Sequence, residues 1–269
     1  MSQSVFCEAA FNYVNEDGTD AAPVKKQIRN AREQTLPGWQ DCGFELLNMP
    51  SKVPAWSDGQ AIEQVHYDEI RTLATKLTGC DFALVGSHIK RGPDQAKLHE
   101  DLGPISFVHS DFADSYGDKM RQHYSVDNED ARVSLEKVGA TVEDVRSCRR
   151  LMIIQFWRNL GPTKMDLPLA FCDARTVPNA DLRPFPVQDY AGGGFDFETL
   201  GIAHRTDHQW YVFPEMNSDE VVAFRTYDSD LLGSQKPYWT PHSAFSDPEV
   251  KPGEPARLSI EIRATCIFK

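Results

Sequence analysis

A jelly-roll barrel of short β-strands carrying a helical insertion is the fold this sequence predicts, and three features predict it. The second half of the chain is a series of short β-rich runs separated by turn residues: LMIIQFW, LPLAFCDA, QWYVFPEM, EVVAFRTYD and ARLSIEIRATCIF. Several short strands at this spacing favour a sandwich or barrel over a parallel α/β sheet. The stretch from about 115 to 150 is instead rich in charge, and NEDARVSLEKVGATVEDVRSCRR reads as two helices broken at Gly139. Finally, no internal repeat, low-complexity tract or linker divides the 269 residues, of which 41% are hydrophobic. That suits one large core and is short for two enzyme domains. A single domain over 1–269 is therefore expected, with N-terminal strands and a helix in 1–104 and the jelly-roll core in 105–269 around the insertion.

The elements justify themselves in order. VFCEAAFNYV and GFELLNM alternate polar and apolar residues in short pieces, as edge strands around a loop would. In DGQAIEQVHYDEIRTLATKLTGC, Ile62, Val65, Ile70, Leu73 and Leu77 fall near helical spacing, with Asp58 as N-cap and Gly79 as stop. DFALVGSHI follows as a strand. Met152, Met165 and Met216 read as core filling. Trp210 and Tyr211 belong either to an aromatic core layer or to a pocket wall.

Composition narrows the function classes. The net charge is −12 and no block of lysine and arginine is long enough to track a phosphate backbone. Nucleic acid and anionic membrane are thereby poor partners. No apolar run approaches the roughly 20 residues that span a bilayer, and MSQSVFCEAAFNYVNEDG has neither the basic nor the apolar segment of a secretion signal. The six cysteines include no C-x-x-C pair and read as buried free thiols. A cytoplasmic monomer or simple homodimer acting on a small molecule is the expectation.

Two H-x-D pairs stand out, and backbone geometry separates them. His66 and Asp68 lie in the expected helix, where positions two apart point about 200° from one another, so His66 is assigned an ordinary surface role. His109 and Asp111 follow the apolar run ISFV, and on a strand alternate residues project from one face. That pair can chelate. A third ligand must come from elsewhere, and His204, His208 and His242 all lie downstream.

In RLSIEIR, Arg257, Ser259, Glu261 and Arg263 share one strand face, and Leu258, Ile260 and Ile262 share the other. The arginine face is either solvated or turned into the barrel mouth, where a guanidinium can hold a carboxylate through two charge-assisted bonds. Two histidines and a carboxylate with open positions is the arrangement of non-haem Fe(II) oxygenases. H-x-D, a distant histidine and then R-x-S form a more specific pattern than any one part. Glu261 fits a role orienting the arginines. His88 and Arg91 in SHIKRGPD sit at a substrate mouth or on the surface, Asp173 binds a neighbouring turn, and His208 is a supporting donor or a strand-end residue.

The stretches VHSDF, QFWRN, LPLAFCDARTV, HQWYVFPEMNSDEVVAFRTYDS, TPHSAFSDP and RLSIEIRA run in family order from about residue 105 onward. Together they resemble the hydroxylase/desaturase family that includes the AsaB-type enzymes, the fungal gibberellin desaturase and the CmcJ component of cephamycin methoxylation. The resemblance implies a double-stranded β-helix (cupin-like) fold and a non-haem oxygenase using Fe(II), 2-oxoglutarate and O2. Such an enzyme would hydroxylate, desaturate or cyclise a small molecule in specialised metabolism. It further implies His109, Asp111 and His242 as the metal ligands and catalytic centre. Arg257 or Arg263, with Ser259, would contact the cosubstrate, and Arg158 is a third arginine able to reach a carboxylate. The family has proline after this last arginine where Asn159 stands here. The alternatives are a non-catalytic partner of another tailoring enzyme, or an iron oxygenase that does not use 2-oxoglutarate.

Overall fold

The computed structural model describes residues 4–125 and 129–269. In chain order the strands are β1 Val5–Phe11, β2 Val24–Asn30, β3 Phe44–Asn48, β4 Phe82–Arg91, β5 His109–Ser110 and β6 Arg150–Asn159. They continue as β7 Leu169–Cys172, β8 Leu182–Val187, β9 Phe197–Ile202, β10 Trp210–Val212, β11 Glu220–Asp228, β12 His242–Ala244 and β13 Ser259–Phe268. One sheet has the order β1-β2-β10-β7-β12-β5-β9-β8 and the other β3-β11-β6-β13-β4. Apart from the β1–β2 and β8–β9 pairs, neighbours in space are distant in sequence, and nearly all pairings are antiparallel, which makes the pair of sheets a jelly roll, as expected.

Burial explains the strand sequences. Phe44, Phe171, Phe224 and Trp157 pack in one apolar cluster between the sheets. The outer face of β6 and β13, with Ile154, Phe156, Ile262 and Ala264, is covered by Ile70 and Ala74 of the helix Tyr67–Thr78. Leu151 and Ile153 of β6 face the intersheet core while Met152, Ile154 and Phe156 face the helix, so LMIIQFW reads as a continuous hydrophobic run rather than an alternating one. Each such Ile or Phe contributes about 1.5–3 kcal/mol by leaving water.

The helix begins where expected: Asp58 accepts hydrogen bonds from the Gln60 and Ala61 amides at 2.9 and 3.3 Å. It ends at Gly79 in the left-handed region, φ 71°. Its second turn, Ile62–His66, is π-helical, and His66 is buried, not exposed. The expectation of a surface role fails because the Trp56 ring packs edge-on against the imidazole at 5.0 Å while Nδ1 meets Glu69 at 3.0 Å.

VFCEAAFNYV and GFELLNM supply β1 and β3, edges of different sheets. Strands β2, β8 and β9 lie outside the pattern read from sequence. In β2 only Ile28 is fully buried, and β8 carries two prolines, which its place at the sheet edge tolerates. The two helices expected in NEDARVSLEKVGATVEDVRSCRR are Glu129–Glu136 and Val142–Arg146, and a further one, Tyr116–Ser125, precedes them in the insertion. The additional first helix is anchored by Tyr116 stacked on Phe112 at 3.6 Å. Gly139 breaks the chain at φ 70° as expected, and the helix after it opens with a Thr141–Asp144 capping box. Part of that sequence reading, at 126–128, lies outside the described residues. Among the described residues no helix is long and apolar enough to cross a membrane, and all six cysteines are free, five of them buried as expected and Cys7 half-buried.

Candidate metal centre

Strand pairing brings the three sequence-selected ligands together. β12 pairs with β5 so that His242 stands directly opposite His109, and Asp111 follows β5 by one residue. All three are buried, and each offers a donor atom within 4.8 Å of the others, the only such group of metal-binding residues found among the described residues. Asp111 Oδ1 lies 3.4 Å from His242 Nε2 and 3.7 Å from His109 Nε2.

The imidazoles are oriented by their own backbone. His109 Nδ1 lies 2.9 Å from the Phe107 carbonyl and His242 Nδ1 3.0 Å from the Thr240 carbonyl. A carbonyl only accepts, so each Nδ1 carries a proton and donates, which turns each Nε2 toward Asp111 as the nitrogen available to a metal. Burial, then the neighbouring His242, pushes His109 down to about 3, which keeps it neutral. Burial alone would raise the Asp111 carboxyl; Arg263, then His242 and His109, outweigh it and hold it well below the usual carboxylate range. Two imidazole nitrogens and one carboxylate oxygen are a donor set that fits a divalent first-row metal, and the residues present pass that test.

The cluster opens on a cavity of about 300 Å³. Its apolar wall includes Ile105, Phe107, Val187 and Phe197, and its polar end holds Arg91, Arg257, Glu261 and Arg263. The face of β13 that carries the arginines therefore turns inward. Arg257 is 3% exposed. Its Nε donates to Ser259 Oγ at 3.0 Å, one terminal nitrogen donates to the Leu167 carbonyl at 3.3 Å, and the guanidinium lies over the Trp157 ring at 5.2 Å. It has no carboxylate partner among the described residues. Burial, then the charge of Arg91, pushes it down to about 9, as expected of a cation held without a counter-ion.

Arg263 differs. Its Nε and Nη2 donate to Asp111 Oδ2 at 3.2 and 2.9 Å. Glu261 sits between two arginines, accepting from Arg91 at 3.1 and 2.8 Å and lying 3.6 Å from Arg263. That is the orienting role expected of it.

Arg158 is the correction. Residues directly opposite on adjacent strands share a face, and Arg158 pairs with Ile260, not with the arginine row. Its guanidinium therefore lies on the outer side, over Trp56 at 5.4 Å and bonded to the Ser218 carbonyl. It does not line the cavity. Ser259 is also absent from the lining and acts by holding Arg257. Asn159, in place of the family's proline, is fully buried and ties its turn together through the Met216, Pro162 and Gly161 backbone.

The remaining candidates sort readily. Trp210 is core, stacked on Phe11 at 4.1 Å with its Nε1 donating to Tyr13, and Tyr211 is buried in the intersheet cluster. His208 meets Asp181 at 3.1 Å and His204 packs against Tyr13, so neither joins the triad. Asp173 caps the turn 174–176. His88 bonds Tyr67, while Arg91 reaches the cavity. Tyr190, which accepts from Arg91 at 3.0 Å, had no signal in the sequence; it sits in a glycine-rich loop that only the fold brings to the mouth.

Comparison with known proteins agrees with this architecture. The model of the oxidoreductase/YMDC permease-like domain family matches residues 3–267. The hydroxylase/desaturase efuI of Hormonema carpetanum is 31% identical over 238 residues, 84% of this chain and 77% of that protein. The Fe(II)/2-oxoglutarate-dependent dioxygenase nvfI of Aspergillus novofumigatus is 26% identical over 210 residues, 77% of this chain and 67% of that one. A solved variant of the iron and alpha-ketoglutarate-dependent endoperoxidase NvfI superposes with a TM-score of 0.78 at 23% identity, covering 100% of this chain and 99% of the other. That likeness carries the fold. The match over almost the whole length and the relative at 31% identity carry the family: the chain belongs to this oxidoreductase family, with the fungal hydroxylase/desaturases among its relatives.

Proposed function

We propose that the protein is an Fe(II)- and 2-oxoglutarate-dependent oxygenase, a single catalytic domain that oxidises a C–H bond of a small molecule. The relatives named as dioxygenases and hydroxylase/desaturases support the reaction class. One observation carries the residue assignment. The His109–Asp111–His242 cluster and a buried arginine, Arg257, which has no carboxylate partner among the described residues, open on the same cavity.

On this reading His109, Asp111 and His242 hold the iron through Nε2, Oδ1 and Nε2. When bound, the iron and cosubstrate supply the oxidising power, using O2 and decarboxylation of the keto acid, for attack on an unactivated C–H bond. The chain's own residues do the rest. Arg257, kept in plane by Ser259 Oγ and the Leu167 carbonyl, takes the distal carboxylate of 2-oxoglutarate. The wall of Ile105, Phe107, Val187 and Phe197 excludes water and favours an apolar substrate face. The buried free thiols are consistent with a reducing, cytoplasmic setting, and a monomer or simple dimer suffices because one chain carries every group named.

Anaerobic titration with Fe(II), with and without 2-oxoglutarate, tests the proposal. The expected result is the weak visible charge-transfer band of an iron-chelated keto acid, absent in His242→Ala. Iron binding without a band would remove the cosubstrate, and no iron binding would remove the oxygenase reading altogether.

A further inference from the structure

The two arginines of β13 do different things, and Arg263 is spoken for before any ligand arrives. Both of its contacts to the metal cluster go to one atom, Asp111 Oδ2, while Oδ1 faces the two histidine nitrogens. Behind it stands an alternating row of charges, Arg91–Glu261–Arg263–Asp111. Arg91 is itself fixed by the Asp101 and Gly103 carbonyls and by Tyr190. The Phe112 ring lies beneath the Arg263 guanidinium at 5.5 Å. The side chain is therefore held on both ends of its charge and on one face.

A carboxylate can give a metal one oxygen or two. We propose that Arg263 is a positioning residue: by occupying Asp111 Oδ2 it makes Asp111 a one-oxygen ligand and keeps a coordination position open for the keto acid. This rests on the iron/2-oxoglutarate reading above. It also gives Arg263 a role different from anchoring the cosubstrate's distal carboxylate. Loss of the guanidinium releases Oδ2, which then competes with the keto acid for the metal. The cation it removes would otherwise repel a divalent ion, so metal affinity has no reason to fall.

The test compares wild type, Arg263→Gln and Arg263→Lys, anaerobically, with Co(II) and Fe(II) as metals. 2-Oxoglutarate and 2-oxobutyrate, which lacks the distal carboxylate, serve as keto acids. In Arg263→Gln, metal affinity is expected to hold within about threefold, whereas a residue that only supports its ligand would cost about 10–100-fold. Both keto acids are expected to bind the loaded variant about tenfold or more weakly. The Co(II) visible spectrum without keto acid should differ from wild type, and Arg263→Lys should restore most of each property. Weakening of 2-oxoglutarate alone would make Arg263 an anchor and overturn the proposal. So would loss of metal with unchanged keto-acid affinity in the loaded fraction, or no change at all. Wild-type protein that binds no metal, or binds it without response to 2-oxoglutarate, would fail the functional reading itself, an outcome no Arg263 variant can mimic.

Discussion

Replacing Arg257 by glutamine takes one charged group from a buried site and leaves a side chain that can still donate to Ser259 Oγ. On the proposed function, the distal carboxylate of 2-oxoglutarate then enters a cavity whose remaining arginines, Arg91 and Arg263, are already paired with Glu261 and Asp111. Truncating one member of a buried, hydrogen-bonded charge pair costs about 2–5 kcal/mol. Arg257 is nearly inaccessible, but the cavity communicates with solvent through its mouth, which favours the lower end of that range. At 1.4 kcal/mol per tenfold, the expected loss in 2-oxoglutarate affinity is about 30-fold or more. Folding stability should hold to about 2 kcal/mol. The variant loses the stacking on Trp157 but also removes a charge that burial and Arg91 already disfavour. The assay is anaerobic titration of the iron-loaded variant with 2-oxoglutarate and, separately, with 2-oxobutyrate. Only 2-oxoglutarate should weaken. If the two acids weaken alike, or neither does, Arg257 is not the anchor and the uncompensated charge has another purpose. The same pair of acids thus assigns each arginine: selective weakening marks the anchor, common weakening the residue acting through Asp111.

Four further outcomes follow from particular contacts. Burial pushes His66 and His208 down to about 4 from an ordinary value near 6.5. Both stay neutral in the fold while the unfolded chain takes up protons, so their contribution is fully present above pH 6.5. It is lost as pH falls from 6.5 to about 4, by about 3 kcal/mol each; melting at pH 7.5, 5.5 and 4.5 checks this, and His208→Asn should flatten the dependence. Gly43→Ala places a methyl 2.4 Å from Thr240 Oγ1 at φ 96°. Because the Thr240 carbonyl orients His242, the variant should lose about 2 kcal/mol of stability and about tenfold in Co(II) affinity, read by melting and titration. Asn159→Ala orphans the Met216 carbonyl and the Gly161 amide, for a loss of about 1–3 kcal/mol in urea denaturation. Arg158→Met removes a buried guanidinium with two unpartnered nitrogens, Nε and Nη2. It should leave 2-oxoglutarate affinity unchanged and stability equal or higher; weakened affinity would contradict its place on the outer face.

What was legible in the sequence was whatever a single strand or helix turn decides locally. Strand alternation put His109 and Asp111 on one side and the Arg257–Arg263 row on another, and Asp58 and Gly79 bounded their helix as capping chemistry requires. What stayed hidden depends on pairing partners remote in sequence. His242 was named by the family resemblance, whereas the residues alone left it level with His204 and His208, because that choice needs the β5–β12 register. Arg158 could not be separated from its fellow arginines without the β6–β13 register, because β6 buries apolar residues on both faces, Leu151 and Ile153 on one and Ile154 and Phe156 on the other, so no alternation marks which side Arg158 takes. β2 and β8 were invisible for a related reason: charged residues and prolines are tolerated where a strand is half-covered or at an edge, so they carry no hydrophobic period.

The division of labour between Arg257 and Arg263 is the sharpest case. Both stand on one face, both line one cavity, and their sequence contexts differ little. What separates them is a carboxylate supplied from β5's end. Asp111 reaches Arg263, and among the described residues no carboxylate forms an ion pair with the Arg257 guanidinium, so one cation is neutralised by the protein itself and the other is left to attract an anion. On the proposed function, specific recognition of a dicarboxylate follows from that asymmetry. A second free cation would compete for the same carboxylate, whereas Arg263, already committed to Asp111, leaves the two ends of the keto acid with one partner each.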